Sequence, residues 1–529
     1  MIQQQLQGCI FQALKNLKID ITPDQIDIEK PKNPEHGDYA TNLAMRLVKV
    51  ARLRQGSDGQ AKKAPPQIAL DILNELEKDK KAQKYFSFSV VGGYVNIKLT
   101  DSYLIEILSS KVNKDFGKSV LGKGQKVLLE FVSANPTGPL HIGHGRWAAI
   151  GDVLANILKY TGFKVTEEFY INDQGNQVES LRASVEAVRQ NKEIPADGYH
   201  GHYVQNLAKE KKDPIKLLLA QQKAVLNKMG VEFDSWFSEK KLHQQNKVKQ
   251  AIELLQKKDL VEKRDKAVWF KSSDFGDDKD RVLIRETGEA TYFAADIAYH
   301  KNKLARGYDL LINIWGADHH GYVARLKAAL KALTGDKDFN KLHIILGQLV
   351  TLYRAGVPVR MSKRTGEMIT LEEVIEEIGQ DAARYFLVSR STDTHLDFDL
   401  EIAKKKSEEN PVYYIQYAHA RICSILRQNE AQIKGSIKRD TLESLERKII
   451  LAIAQIPDEL ELISQTYNIH RLTYLAQELA KMFHSFYHEY RVLSDNKEDT
   501  LWRLEFIKAI KQVLEIILTL LGVSAPERM

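Results

Sequence analysis

The chain has 529 residues, 43% hydrophobic and 28% charged, with 77 Lys and Arg against 70 Asp and Glu and a formal net charge of +7. That length and mixture exclude a single small domain and a disordered chain, and leave ample material for several cores. Cys9 and Cys423 are the only cysteines, which excludes a disulfide framework and a Cys-based zinc site and fits a reducing cytoplasm.

The longest apolar stretch, Val513 to Val523, is interrupted by Glu515, so no membrane span is expected. Met1-Ile-Gln-Gln-Gln5 lacks the basic flank and apolar core of a secretory signal. The positive balance is compatible with holding a polyanion without establishing it. Lys209 to Lys212, Lys327 with Lys331, and Lys404 to Lys406 each read singly as solvated surface.

In chain order, Tyr39 to Leu53 reads as a helix, Gly56 to Pro66 as a polar loop, and Gln67 to Leu76 as a second helix. Phe86 to Leu99 alternates about Gly92-Gly93, the pattern of a β-hairpin. Residues 1–116 are therefore expected to form a small α+β domain.

Gly117 to Gln125 reads as a linker into an α/β unit over 117–380. Lys126-Val-Leu-Leu-Glu-Phe-Val132 is an apolar strand, and residues 134–145 read Ala-Asn-Pro-Thr-Gly-Pro-Leu-His-Ile-Gly-His-Gly. Val153, Leu154, Ile157 and Leu158 then follow helical spacing, with Gly162 as a stop. Strand, Gly/Pro-rich loop and helix open a nucleotide-binding unit, whose helix N-terminus offers backbone N–H groups to an anion. His141 and His144 would share one helix face. Gly143 and Gly145 carry no Cβ, which lets a base or a phosphate chain approach the backbone. Spacing alone also fits a metal pair or a surface coincidence.

The expected sheet is doubly wound and Rossmann-type, with Val127–Val132 and Val165–Tyr170 in one half and Leu310–Trp315 and His343–Gln348 in the other. A ligand would lie outside the carboxyl ends of the strands, where the halves meet. Between the halves, about Gln177 to Thr287, lies a Lys- and Glu-rich insertion of helices and short strands. Further on, Arg360-Met-Ser-Lys-Arg364 is a short basic loop in which Ser362 and Lys363 can supply a hydroxyl donor and a point charge to a triphosphate. Thr370-Leu-Glu-Glu373 is a capping box opening a helix at Leu371.

From about Asp381 to residue 529 the pattern is wholly helical, with Leu442, Leu445 and Ile449, then Phe483, Phe486, Tyr487 and Tyr490, at helix spacing. Aromatics so placed are expected in the core, not as RNA-stacking platforms. His319-His320 and His200-Gly-His202 have no cysteine nearby and read as solvated or packed, so no metal site is expected.

The early His141-Ile-Gly-His144 and the later Met361-Ser-Lys363 together resemble the signature pair of class I aminoacyl-tRNA synthetases. Arg360 and Arg364 depart from that pattern, in which a Lys and a Ser stand at these places; Lys363 is retained. Glu130-Phe-Val-Ser-Ala-Asn-Pro-Thr-Gly-Pro-Leu-His141, Glu289-Ala-Thr-Tyr-Phe-Ala-Ala-Asp296, Trp315-Gly-Ala-Asp-His-His320, His36-Gly-Asp-Tyr-Ala-Thr-Asn42 and Gly522-Val-Ser-Ala-Pro-Glu-Arg-Met529 are similar to the arginyl-tRNA synthetase family, nearly end to end.

The resemblance implies an enzyme using ATP with Mg2+, L-arginine and arginine-accepting tRNA, acting as a monomer. It implies His141, His144 and Lys363 in catalysis, and His141, Gly143, His144, Gly145, Met361, Ser362 and Lys363 at ATP. It carries Ser133, Ala134, Asn135, His144, Tyr292, Asp296, Asp318 and Glu130 onto the arginine site. The chemistry agrees: a guanidinium wants a carboxylate and an aromatic wall, and Tyr292 and Asp296 stand four apart on the expected helix Thr291 to Leu304. The first domain is expected at the outer corner of the tRNA, the insertion at its acceptor stem and the helical region at its anticodon. Two rival readings are a small-molecule adenylyltransferase and a catalytically inactive, synthetase-derived RNA-binding protein.

Overall fold

The computed structural model describes residues 1–54, 64–359, 369–429 and 439–529. Arg360, Met361, Ser362, Lys363 and Arg364 thus lie outside the described residues.

Alternation of apolar and polar side chains makes a hairpin of β2 (Phe86–Val91) and β3 (Tyr94–Leu99), turning at Gly92-Gly93, and a third strand, β1 (Tyr39–Thr41), pairs antiparallel with β3. The expected helix over Tyr39 to Leu53 is corrected here: its first three residues are strand, and the helix is Leu43–Arg54. Tyr39, Ala40 and Thr41 are all buried and face Ile97, Asn96 and Val95, and this cross-strand pairing overrides helical periodicity. The Thr41 hydroxyl then accepts the N–H of Leu43, 3.3 Å away, where the helix begins. The second helix starts at Pro65, a residue suited to a first turn, and ends at Leu76.

The central sheet is parallel. β4 (Lys126–Glu130), β5 (Lys164–Ile171) and β6 (Ser235–Ser238) lie side by side. A separate antiparallel sheet follows, β7 (Val261–Arg264), β8 (Ala267–Phe270) and β9 (Arg281–Ile284), before β10 (Leu310–Gly316) and β11 (Leu342–Gly347) return to the centre. The order is β11-β10-β4-β5-β6, so the winding reverses between β4 and β10, the place where ligands bind in such sheets. β6 arises inside the segment read as an insertion, yet it is an edge strand of this sheet.

The helix Ile142–Tyr160 packs on the sheet through Ala148, Val153, Leu154 and Ile157, all buried. A Cβ on Gly151 would stand 2.3 Å from the Phe131 ring, so only glycine allows this close approach. Beyond β11 come β12 (Val350–Arg354), β13 (Val357–Pro358) and β14 (Leu396–Asp399), then the helices Pro411–Gln428, Ser444–Thr466, His470–Glu489 and Lys497–Leu521. Phe483 and Phe486 are fully buried among them, each contributing roughly 2 kcal/mol of apolar burial. Tyr487 departs from the expected core position: it is 36% exposed, with the Arg421 guanidinium over its ring.

Two arginines tie these layers together, Arg384 fully buried and Arg447 partly so. Arg384 donates to the carbonyls of Leu521 and Met229, each 3.0 Å away, and to the Asp152 carboxylate, joining the final helix to the helix Ile142–Tyr160. Arg447, on Ser444–Thr466, reaches the first domain at Asp38 and the Leu99 carbonyl. Among the described residues no helix is long and apolar enough to cross a membrane.

Candidate active site

His141 is the N-cap of the helix Ile142–Tyr160. Its Nδ1 accepts the Gly143 N–H at 3.1 Å, while the Nδ1 of His144 accepts the His141 N–H at 3.2 Å. The rings stack with centroids 3.7 Å apart. Accepting at Nδ1 assigns the ring proton of each neutral imidazole to Nε2. The result is a helix N-terminus with fixed dipole direction and two oriented imidazoles, a fit for phosphate oxygens.

A Cβ on Gly145 would meet Leu371 Cδ1 at 2.5 Å, so the missing side chain makes room for Leu371. The space beside Gly143 is filled by the His141 ring, 3.0 Å from such a Cβ. Thr370 caps the helix Leu371–Ile378, with the Glu373 N–H donating to its hydroxyl at 3.1 Å and its own N–H donating to the Glu373 carboxylate at 2.7 Å, the expected capping box. Thr370 also bridges to His141, and the Leu371 N–H donates to the Leu140 carbonyl at 2.8 Å. Arg146, buried one turn into the same helix, donates to the carbonyls of Gln348 (2.7 Å), Ser391 (2.9 Å) and Thr394 (3.0 Å). The segments flanking the basic loop are thus anchored to the helix that carries both histidines.

Beyond β4 the backbone turns sharply. Val132 and Ser133 have φ of 66° and 42°, a left-handed conformation that costs a β-branched valine dearly. The turn directs the Ser133 hydroxyl to Glu130, 3.1 Å away, while it accepts the Tyr170 N–H from β5 at 3.1 Å. Ala134 is buried. Asn135 donates to Gln177 at 2.7 Å, and its carbonyl, with that of Gly138, accepts from the buried Gln222 amide. Glu130 itself is buried and bound by the Lys303 ammonium.

The helix Tyr292–Ala305 begins with Thr291 as N-cap, and Tyr292 and Asp296 share one face as expected. Tyr292 is 56% exposed and lies against the turn at Gly175. Asp296, half-buried, accepts from the Tyr322 hydroxyl. Burial pushes its carboxyl up to about 7; the Tyr322 bond opposes that shift, and the negative fields of Glu239 and Glu130 add to it. Glu239, buried just past the end of β6, is likewise pushed up to about 7, by burial first; a bond with Tyr170 opposes that shift and the field of Asp173 adds to it. The field of Glu239 reaches Asp296, so the two carboxyls lie near one another.

Sequence reasoning missed Glu239 and Tyr322. The only local signal for Glu239 is its place after Ser238, the N-cap of a short helix. Asp318 is not drawn into this group: on the turn Ala317–Tyr322 past β10 its carboxylate is exposed, 3.6 Å from His319. Among the described residues no cluster of three or more His, Cys, Asp or Glu is arranged to hold a metal.

Three family models match the chain: the arginyl tRNA synthetase N terminal domain over residues 4–99, the catalytic domain of tRNA synthetases class I (R) over 104–213, and the DALR anticodon binding domain over 415–529. An arginine–tRNA ligase of Bacillus anthracis is 42% identical over all of this chain and 98% of its own length. One from Desulforudis audaxviator is 44% identical with the same coverage. The arginyl-tRNA synthetase structure from Thermus thermophilus superposes with a TM-score of 0.82, covering both chains fully at 21% identity. With identity above two-fifths along its full length, matched N-terminal, catalytic and helical regions, and a reversed parallel sheet carrying the histidine pair, the chain belongs to the arginine–tRNA ligase family of class I aminoacyl-tRNA synthetases.

Proposed function

We propose that the enzyme joins L-arginine to the 3′ end of arginine-accepting tRNA in two steps at the junction of β4 and β10. The guanidinium sits between Asp296 and Glu239 with Tyr292 as its wall, and the α-amino end lies toward Ser133, Ala134, Asn135 and Glu130. Tyr292 and Asp296 on one helix face, with Glu239 close enough for its field to act on Asp296, carry this reading, because a guanidinium is a planar cation with five donors. An uncharged isostere would leave these carboxylates without a cation, and so be rejected. Asp318 borders the site from the exposed side.

ATP lies along the helix N-terminus at His141, Gly143 and His144, with Met361, Ser362 and Lys363 on its phosphates; Gly145 contributes through packing. The arginine carboxylate attacks the α-phosphate in line and pyrophosphate leaves. His141, His144 and Lys363 stabilise the charge that develops on the phosphate oxygens. A terminal ribose hydroxyl of the tRNA then attacks the adenylate carbonyl and AMP leaves. Magnesium enters with ATP as part of that substrate, without a protein cage.

Residues 1–116, the insertion at about 177–287, and 381–529 divide the tRNA among them around the catalytic unit 117–380. Tyr413, Tyr417 and His484, whose rings stack in succession near the exposed Tyr487, offer base-sized faces on the helical unit. The enzyme acts as a cytoplasmic monomer. The test is charging of unfractionated bacterial tRNA with each of twenty labelled amino acids, ATP and magnesium. Ester formed with arginine alone supports the reading, and ester with another amino acid, or with none, sinks it.

A further inference from the structure

We propose that Lys303 is a positioning and specificity residue: a built-in cation that orients Glu130 and sets the charge of the amino-acid pocket to match a dication. The inference rests on the reading of Glu130, Glu239 and Asp296 as that pocket.

Lys303 is fully buried, two turns along the helix from Asp296 and on the same face. Its ammonium donates to the Glu130 carboxylate and to Asn313 Oδ1, 2.8 Å away on β10, and lies 4.5 Å from the Tyr299 ring centroid. Asn313 turns its amide nitrogen to His300 Nε2 at 3.0 Å, and His300 Nδ1 donates to the Asp296 carbonyl at 2.9 Å. A hydrogen-bonded chain therefore runs from the Glu130 carboxylate, beneath the α-amino end, to the backbone carbonyl of Asp296, the residue whose side chain stands at the guanidinium end. Burying an ammonium inside an α/β core is costly where a leucine would pack without penalty. Its retention calls for an electrostatic task.

The charge count supplies one. Glu130, Glu239 and Asp296 bring three negative charges when ionised, and Lys303 brings one positive. Two negative charges remain, matching the ammonium and guanidinium of arginine while its carboxylate goes to the phosphate. Of the other cations nearby, Arg306 is bidentate on Glu168 and Arg281 on Asp277, while Arg325 lies over the Phe293 and Tyr322 rings. His300 stays neutral, held well below its ordinary range by burial and by Lys303.

The groups facing Asp296 are the Tyr322 hydroxyl (with Arg281 and Arg325 behind it), Glu239, Glu130, Tyr170, His300 and Lys303. Removing Lys303 withdraws a positive charge, so the Asp296 carboxyl moves higher.

The experiment compares Lys303→Met, Lys303→Arg and Asn313→Ala with the parent enzyme, measuring KM for arginine and ATP and the pH dependence of kcat/KM for arginine. Lys303→Met is expected to raise the arginine KM at least tenfold, leave the ATP KM unchanged, and move the acid limb up by about one pH unit. Lys303→Arg restores both quantities. Asn313→Ala, which keeps the charge but loosens its anchor, raises the arginine KM several-fold with the limb unmoved, and it serves where Lys303→Met does not fold. An unmoved limb in Lys303→Met, or an unchanged arginine KM in either Lys303→Met or Asn313→Ala, overturns the proposal. So does an equal rise in both KM values that Lys303→Arg fails to repair. Asp296→Asn run alongside separates the two levels: if it leaves the arginine KM intact, the pocket reading itself fails, whatever Lys303 does.

Discussion

Arg447 of the helix Ser444–Thr466 grips Asp38 of the first domain with both terminal nitrogens, at 3.1 and 2.8 Å, and Asp38 in turn accepts the Leu99 N–H at 2.7 Å. One carboxylate thus binds the last residue of β3 and joins the first domain to the C-terminal helices. Asp101 lies 3.3 Å from the same guanidinium. Arg447→Ala leaves Asp38 buried without its partner and is expected to lower unfolding stability by about 3 kcal/mol. Because two units proposed to face tRNA then lose a tie between them, KM for tRNA should rise while KM for ATP stays level. Denaturant titration and tRNA saturation curves check the two halves separately.

Glu239→Gln and Asp296→Asn each remove a proposed guanidinium partner. Each should raise the arginine KM by at least tenfold, since truncating one side of a buried charge pair costs about 2–5 kcal/mol. Unchanged arginine saturation in Glu239→Gln would take that residue out of the pocket.

The same two carboxyls set a pH dependence. Both titrate near 7 in the folded enzyme, well above the range of an unfolded chain, so between about pH 4 and 7 the folded state holds more protons. Stability contributed by these groups is therefore full at the low end and falls as pH rises through 7. On the proposed binding mode arginine brings a cation to both carboxyls, so the rise in Tm that it causes should grow from pH 6 to pH 8. Thermal melts with and without arginine test this, and Glu239→Gln should flatten the trend.

Gly145→Ala sets a methyl 2.5 Å from Leu371 Cδ1 and should destabilise by about 1–3 kcal/mol. Leu371→Val in the same chain should recover part of the loss. Additive losses in the double variant would show that the two residues do not share that space.

Lys363→Ala should lower kcat about 100-fold with little change in arginine KM, because its charge matters most as the α-phosphate is attacked. Parent-like turnover would pass the role to Arg360 or Arg364.

The parts of this molecule legible in the sequence are those determined by neighbours in the chain. His141 and His144 build their own cap within four residues, as do Thr370 and Glu373, and the hairpin at Gly92-Gly93 needs only its own alternation. What hid from view depends on distant partners. Tyr39–Thr41 is strand because β3, much later in the chain, pairs with it. Glu239 and Tyr322 join Asp296 only once β6 and β10 lie in one sheet. Tyr487 is exposed because helix His470–Glu489 presents only one side to the bundle, and spacing alone does not say how wide that side is.

β6 has a practical bearing on protein engineering. A deletion that trims residues 177–287 to make a minimal enzyme would strip β5 of its partner over Glu168 to Ile171 and bare a hydrogen-bonding edge to other molecules. It would also take away Gln177 and Gln222, which brace the Asn135 loop, and Glu239 itself. The segment that reads as an add-on supplies part of the proposed binding pocket, so minimised variants must keep Gln177 and 214–244 in place or graft an equivalent strand.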